Sequence, residues 1–222
     1  MLRPSKARFA MKNNNLIENL SNDLTPWKRM DSLPVFSFKW IALSVVLFGI
    51  NYFWMPLKTD LAHLINNPLF QMENILWCAL AFTSSIALYK SSFPDNTDKK
   101  FGIISLILLL SLIGLTLLND ARPASEHLTH EFQLWRGGCG LIISLFTIVQ
   151  TPILGLWASK GAPVSPGLTG AWAALSSASV GCLLMQFICT HHTAAHLMLW
   201  HFVPLSLMCA GSYFLANKFL RW

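Results

Sequence analysis

The residues of this 222-residue chain able to do chemistry are its five cysteines and seven histidines. Cys78, Cys182 and Cys209 fall inside apolar runs, where a thiol behaves as a small hydrophobe. Cys139 and Cys189 stand at the ends of such runs. A pair of this kind can form a disulfide if the backbone brings the Cα atoms within about 7 Å, or it can offer thiolates to a soft metal. Two unrelated membrane thiols are the alternative. His192 and His196 are four residues apart, one turn of a helix and a common spacing for two ligands of one metal; Cys189, just upstream, could join them. Interfacial histidines with no partner would give the same pattern. His127 and His130 read as solvated loop residues. No stretch has the spacing of a hydrolase triad, a Gly-rich phosphate loop or a zinc-protease helix, so no enzymatic activity is expected.

The elements that must position these residues are six apolar runs, at 38–55, 72–89, 101–118, 139–158, 167–189 and 195–216. At about 1.5 Å per residue, each reaches roughly the 30 Å of a bilayer core. Lipid offers no partner to an unpaired backbone group, so the runs read as helices and the fold as an all-α bundle of six transmembrane spans. Thr83, Ser84 and Ser85 make the second run the weakest. Hydrophobic residues make up 54% of the chain and charged residues 12%, which suits one membrane domain at 38–222 behind a cytoplasmic tail at 1–37. The tail has no apolar stretch of the kind a signal peptide requires.

Charge gives the orientation. With the tail in the cytoplasm, 13 of the 16 Lys and Arg fall on that side, and only Lys58, Arg122 and Arg136 on the other. The positive-inside rule then puts both termini in the cytoplasm. The net charge of +6 follows this topology and suits anionic headgroups, so no direct nucleic-acid binding is expected. Cys139 opens an inward-running span and Cys189 closes an outward-running one, so both lie near the outer surface, as do all seven histidines. That compartment permits disulfides in a bacterium.

Charged side chains are absent from the depth of the spans, which argues against a pump or proton-coupled carrier. Gln150 and Gln186 are expected to hydrogen-bond between helices. Gly170, Ala174 and Ala178, spaced by four like Ser177 and Gly181, allow close helix approach, either within the chain or at a homodimer face. Pro152 is expected to kink the fourth span. In the tail, Leu16, Ile17, Leu20 and Leu24 form a helical stripe over 13–24, which Pro26 stops. Its polar face carries Asn, Glu and Asp rather than Lys, so a protein groove suits it better than anionic lipid.

Taken in order, Leu16-Ile17, Leu24-Thr25-Pro26-Trp27, Cys139 after Trp135, Ala162-Pro163 with Pro166 and Gly170, then Cys189, Trp200 and Leu220-Arg221-Trp222 resemble the NrsF family of bacterial inner-membrane anti-sigma factors. The resemblance runs from about Met11 to Trp222, which makes Met11 a candidate initiator. It implies that Leu16, Ile17, Leu20 and Leu24 cover an extracytoplasmic-function sigma factor, with Pro26 and Trp27 anchoring the segment near the bilayer. It also implies that Cys139 and Cys189 sense a redox or metal stress that relaxes this hold. The sequence departs from the family pattern at Thr190-His191-His192-Thr193, where an acidic stretch is expected, and at His201, where a tyrosine is expected. A transition metal on His192, His196 and Cys189 is therefore an expectation from this sequence alone, and no cofactor is otherwise required. Two rival readings remain: a thiol-redox or metal-binding membrane protein acting without a sigma partner, and a small-solute channel or carrier.

Overall fold

The computed structural model of the chain describes residues 30–55, 57–59, 61–94, 98–119, 138–191 and 193–219. The stripe at 13–24, with Pro26 and Trp27, lies outside them. Among the described residues the fold is wholly helical. Its long elements are α1 (Leu33–Trp54), α2 (Pro68–Ser91), α3 (Lys100–Asn119), α4 (Gly138–Ala158), α5 (Pro166–Ile188) and α6 (Ala194–Phe219). All but α2 are long and apolar enough to cross a membrane, which makes this a multi-pass membrane protein.

Local chemistry explains the boundaries. Pro34, Pro68 and Pro166 sit in the first turns of α1, α2 and α5, where the missing N–H costs nothing. Asn67 caps α2, its side-chain oxygen accepting from Leu69 N at 2.9 Å. The polar trio that weakens the second run in sequence does not break the helix. Thr83 and Ser84 turn their hydroxyls back onto the carbonyls of Ala79 and Leu80, and Ser85 onto that of Phe82. Pro152 lies inside α4 without ending it.

At the centre stands α5, packed against α2, α4 and α6. Small residues make this possible. A Cβ on Gly170 would come within 2.5 Å of the Ser212 carbonyl oxygen, and one on Gly181 within 3.3 Å of the Ile143 Cα. The small-residue stripes thus serve contacts inside the chain, with α6 and α4. Single polar bonds join neighbouring helices: Gln150 Nε2 donates to Ser44 Oγ at 2.7 Å, Ser105 Oγ to Thr83 Oγ1 at 3.0 Å, and Ser176 Oγ to the Ala81 carbonyl at 3.2 Å.

Hydrogen bonds also define the two ends of the bundle. At one end, Gly167 N donates to Asn217 Oδ1 at 3.0 Å, Thr169 Oγ1 to the Ser91 carbonyl at 3.2 Å, and Tyr89 to the Asp31 carbonyl at 3.1 Å. Lys90 donates there to Asp98 at 2.6 Å and holds that carboxyl below the ordinary carboxylate range. The other end gathers the start of α4, the end of α5 and the start of α6, and with them Cys139, Cys189 and two histidines.

Candidate functional site

Three segments bring the cysteines and histidines together. Cys139 is the second residue of α4. The next residue, Gly140, lets α4 approach α6 closely, since a Cβ there would lie 3.0 Å from Pro204 Cγ and 3.1 Å from the Trp200 carbonyl oxygen. Cys189 ends α5, its N–H donating to the Met185 carbonyl at 2.8 Å. Thr193 caps the start of α6 by accepting from His196 N at 3.3 Å.

One irregularity completes the site. After one α turn at Ala194–Leu197, α6 widens into a π turn at Met198–Phe202, closed by a hydrogen bond from Val203 N to the Met198 carbonyl. In a regular α-helix, residues five apart point about 140° away from each other. A turn with i to i+5 hydrogen bonds brings them back toward one face. His196 and His201 are five apart, and their ring centroids lie 5.7 Å apart, edge to face.

The sulfurs of Cys139 and Cys189 and a ring nitrogen each from His196 and His201 all lie within 4.8 Å of one another. Cys189, His196 and His201 are buried and Cys139 partly so. Both cysteines are free thiols. Cys189 Sγ is hydrogen-bonded to His196 Nε2 at 3.3 Å and donates to the His191 carbonyl at 3.5 Å. His201 is 1% exposed, and neither of its ring nitrogens has a hydrogen-bond partner. Leaving a buried polar atom unpaired costs about 1–3 kcal/mol. Lys58, also buried, brings its ammonium close enough to act electrostatically on Cys139 and His201, and its backbone N–H donates to the Phe187 carbonyl at 3.1 Å.

Of the residues singled out in sequence, Cys139, Cys189 and His196 meet here. His192, His127 and His130 lie outside the described residues. His191 stacks beside His196, with ring centroids 5.1 Å apart. Sequence reasoning assigned no role to His201, because regular helical spacing separates it from His196. The signal that could have found it was its position as a histidine in an apolar run. Two thiols at this range can join in a disulfide, and two thiols with two imidazoles can surround a cation.

A polytopic helical membrane protein with a thiol–imidazole cluster at one end of its bundle is the class that fold and site define. The family described as negative regulator of sigma F, NrsF, matches residues 20–222, nearly the whole chain. The chain belongs to the NrsF family, whose name is that of a negative regulator of a sigma factor. The match takes in Leu20, Leu24, Pro26 and Trp27 of the tail as well as both cysteines. No curated protein and no solved structure matches the chain.

Proposed function

We propose that this protein is a non-enzymatic anti-sigma factor of the bacterial inner membrane, with six spans and both termini in the cytoplasm. Through Leu16, Ile17, Leu20 and Leu24, with Pro26 and Trp27, its tail holds an extracytoplasmic-function sigma factor away from its promoters. A redox or metal signal at Cys139 and Cys189, on the outer face, releases it. The observation that carries the reading is the family match over residues 20–222, which begins inside the tail. The basic tail and the basic loops at its end of the bundle support the orientation.

The packing offers a route between the ends. Phe187, two residues before Cys189, accepts from Lys58 N and sets its ring 6.2 Å from that of Phe48 in α1 and 6.0 Å from that of Phe70 in α2. A change at Cys189 that moves the end of α5 therefore bears on α1, the helix that continues from the tail. Such a signal shifts the equilibrium only by as much as it favours one packing over the other.

The test is affinity capture of the full-length chain from native membranes, together with a reporter for the captured sigma factor. One sigma factor should co-purify, and Leu20→Asp should abolish capture and switch the reporter on, with membrane insertion unchanged. Repression that survives Leu20→Asp would overturn the role of the stripe. A Cys139→Ser, Cys189→Ser double variant should bind the sigma factor and fail to release it under oxidant or cadmium. Normal release would sink the sensor.

A further inference from the structure

We propose that Cys139, Cys189, His196 and His201 form one closed, four-ligand site for a thiophilic divalent cation of the zinc class. The inference deepens the sensor reading above by naming its donor set, and it replaces a set made of His192, His196 and Cys189. Four donor atoms already stand within 4.8 Å of one another. A tetrahedral zinc with two sulfur and two nitrogen ligands would hold them about 3.3–3.8 Å apart, given metal–ligand bonds of about 2.0–2.3 Å. The required closure is about an ångström, within the reach of side-chain rotation.

Charge argues the same way. Two thiolates, two neutral imidazoles and one divalent ion sum to zero, so filling the site adds no net charge to a low-dielectric end of the bundle that already holds the buried Lys58. Binding releases two thiol protons to solvent. Soft sulfur with imidazole nitrogen selects zinc or cadmium over magnesium or calcium, whose ligands are oxygens. All four positions of the tetrahedron are taken by protein, which makes the site a staple rather than a catalytic centre.

The second observation, independent of the clustering, is His201. It is buried to 1% exposure with both ring nitrogens unpartnered, on a π turn that brings it back beside His196. Such turns occur at functional sites more often than elsewhere. A cation takes up one of those nitrogens. The staple would tie the start of α4, the end of α5 and the start of α6 into one unit, next to the Phe187 contacts with α1 and α2.

The experiment uses the full-length chain in detergent, reduced, stripped with a chelator and titrated with Co2+. One ion per chain should bind, giving the strong visible bands of four-coordinate Co2+ and sulfur-to-metal charge transfer; Zn2+ should displace it. Weak six-coordinate bands, or no saturable binding, would overturn the site without any variant being needed. Loss of a residue that merely supports a ligand lowers metal affinity about 10–100-fold, so His201→Phe or Cys139→Ser should lower Zn2+ affinity by at least about 100-fold. Replacing His63, His127 and His130 together should leave it unchanged. Zn2+ affinity unaltered by His201→Phe would overturn the four-ligand set. Sigma capture is scored separately on the reduced, chelator-stripped preparation before any metal is added. Metal binding without capture keeps the site and removes the anti-sigma reading, and capture without metal binding does the reverse.

Discussion

Helices α3 and α5 are nearly the same length and occupy opposite places in the bundle. The most apolar window of α3 has a mean hydropathy of 2.7 and is 17% buried within the chain; that of α5 has 1.5 and is 72% buried. In a soluble protein the order would be reversed. Here the surroundings are hydrocarbon, so an exposed leucine gains nothing by moving inward, and the apolar drive that sorts residues in water is missing. What sorts these helices is shape and hydrogen bonding. Helix α5 is central because its glycines, alanines and serines let three partners approach, while α3 presents Ile103, Leu106, Ile107 and Leu110 outward.

The sharpest way to break this contrast is to place the same bulk in both helices. Gly170→Leu pushes a side chain into Ser212 and Ala216, whereas at Gly114 an added Cβ meets nothing within 4 Å and Gly114→Leu has open space to enter. Unfolding in detergent should show a loss of about 3 kcal/mol or more for the first and almost none for the second. Equal effects would mean that α5 is not tightly clasped. Next comes removal of bulk. Leu184→Ala, at a residue 1% exposed, should cost about 2–4 kcal/mol by leaving a cavity, and Leu110→Ala, at a residue 67% exposed, should cost under about 1 because lipid fills the gap. The smallest effect belongs to the polar cross-links. Gln150→Leu removes the bond to Ser44 and should cost about 0.6 kcal/mol in the same titration. A loss of several kcal/mol would show that hydrogen bonds rather than packing hold the bundle.

Hydropathy located the helices because each is a largely apolar stretch, and Ser32 with Pro34, Asn67 with Pro68 and Ser165 with Pro166 mark the starts of α1, α2 and α5. The structure moves the boundaries by a few residues. α2 gains Pro68 through Gln71 from the Asn67 cap, and α1 begins at Leu33 after Ser32. The polar trio marks α2 as the weakest span, and α2 is the one long helix among the described residues that falls short of a membrane-crossing helix in hydropathy. The trio does not break the helix itself, since hydroxyls that bond to their own helix cost the backbone no partner. The centrality of α5 was only hinted at by its small residues, because hydropathy ranks helices by a property the bilayer does not use to sort them. Cys139, Cys189 and His196 followed from topology and spacing. His201 did not, because a π turn leaves no mark in a pattern read at 3.6 residues per turn. The stripe read at 13–24 lies outside the described residues; the family match takes in its Leu20 and Leu24.

The π turn has one more consequence, which concerns phase along the last helix. A wide turn amounts to one inserted residue, and each residue of an α-helix accounts for about 100° of rotation. Deleting a single residue within Met198–Phe202 would let the helix run regularly. That deletion would leave the two flanks in their present phase. Closing the wide turn with every residue kept would instead rotate Val203–Phe219 by about 100° against the turn that carries His196, and Ser212 and Ala216 could no longer face Gly170 while the cluster stayed intact. The irregularity thus works as a gear tooth, meshing the histidine turn at one end of α6 with the close-packed seam at the other. With every residue kept, both stay in register only while the turn between them stays wide.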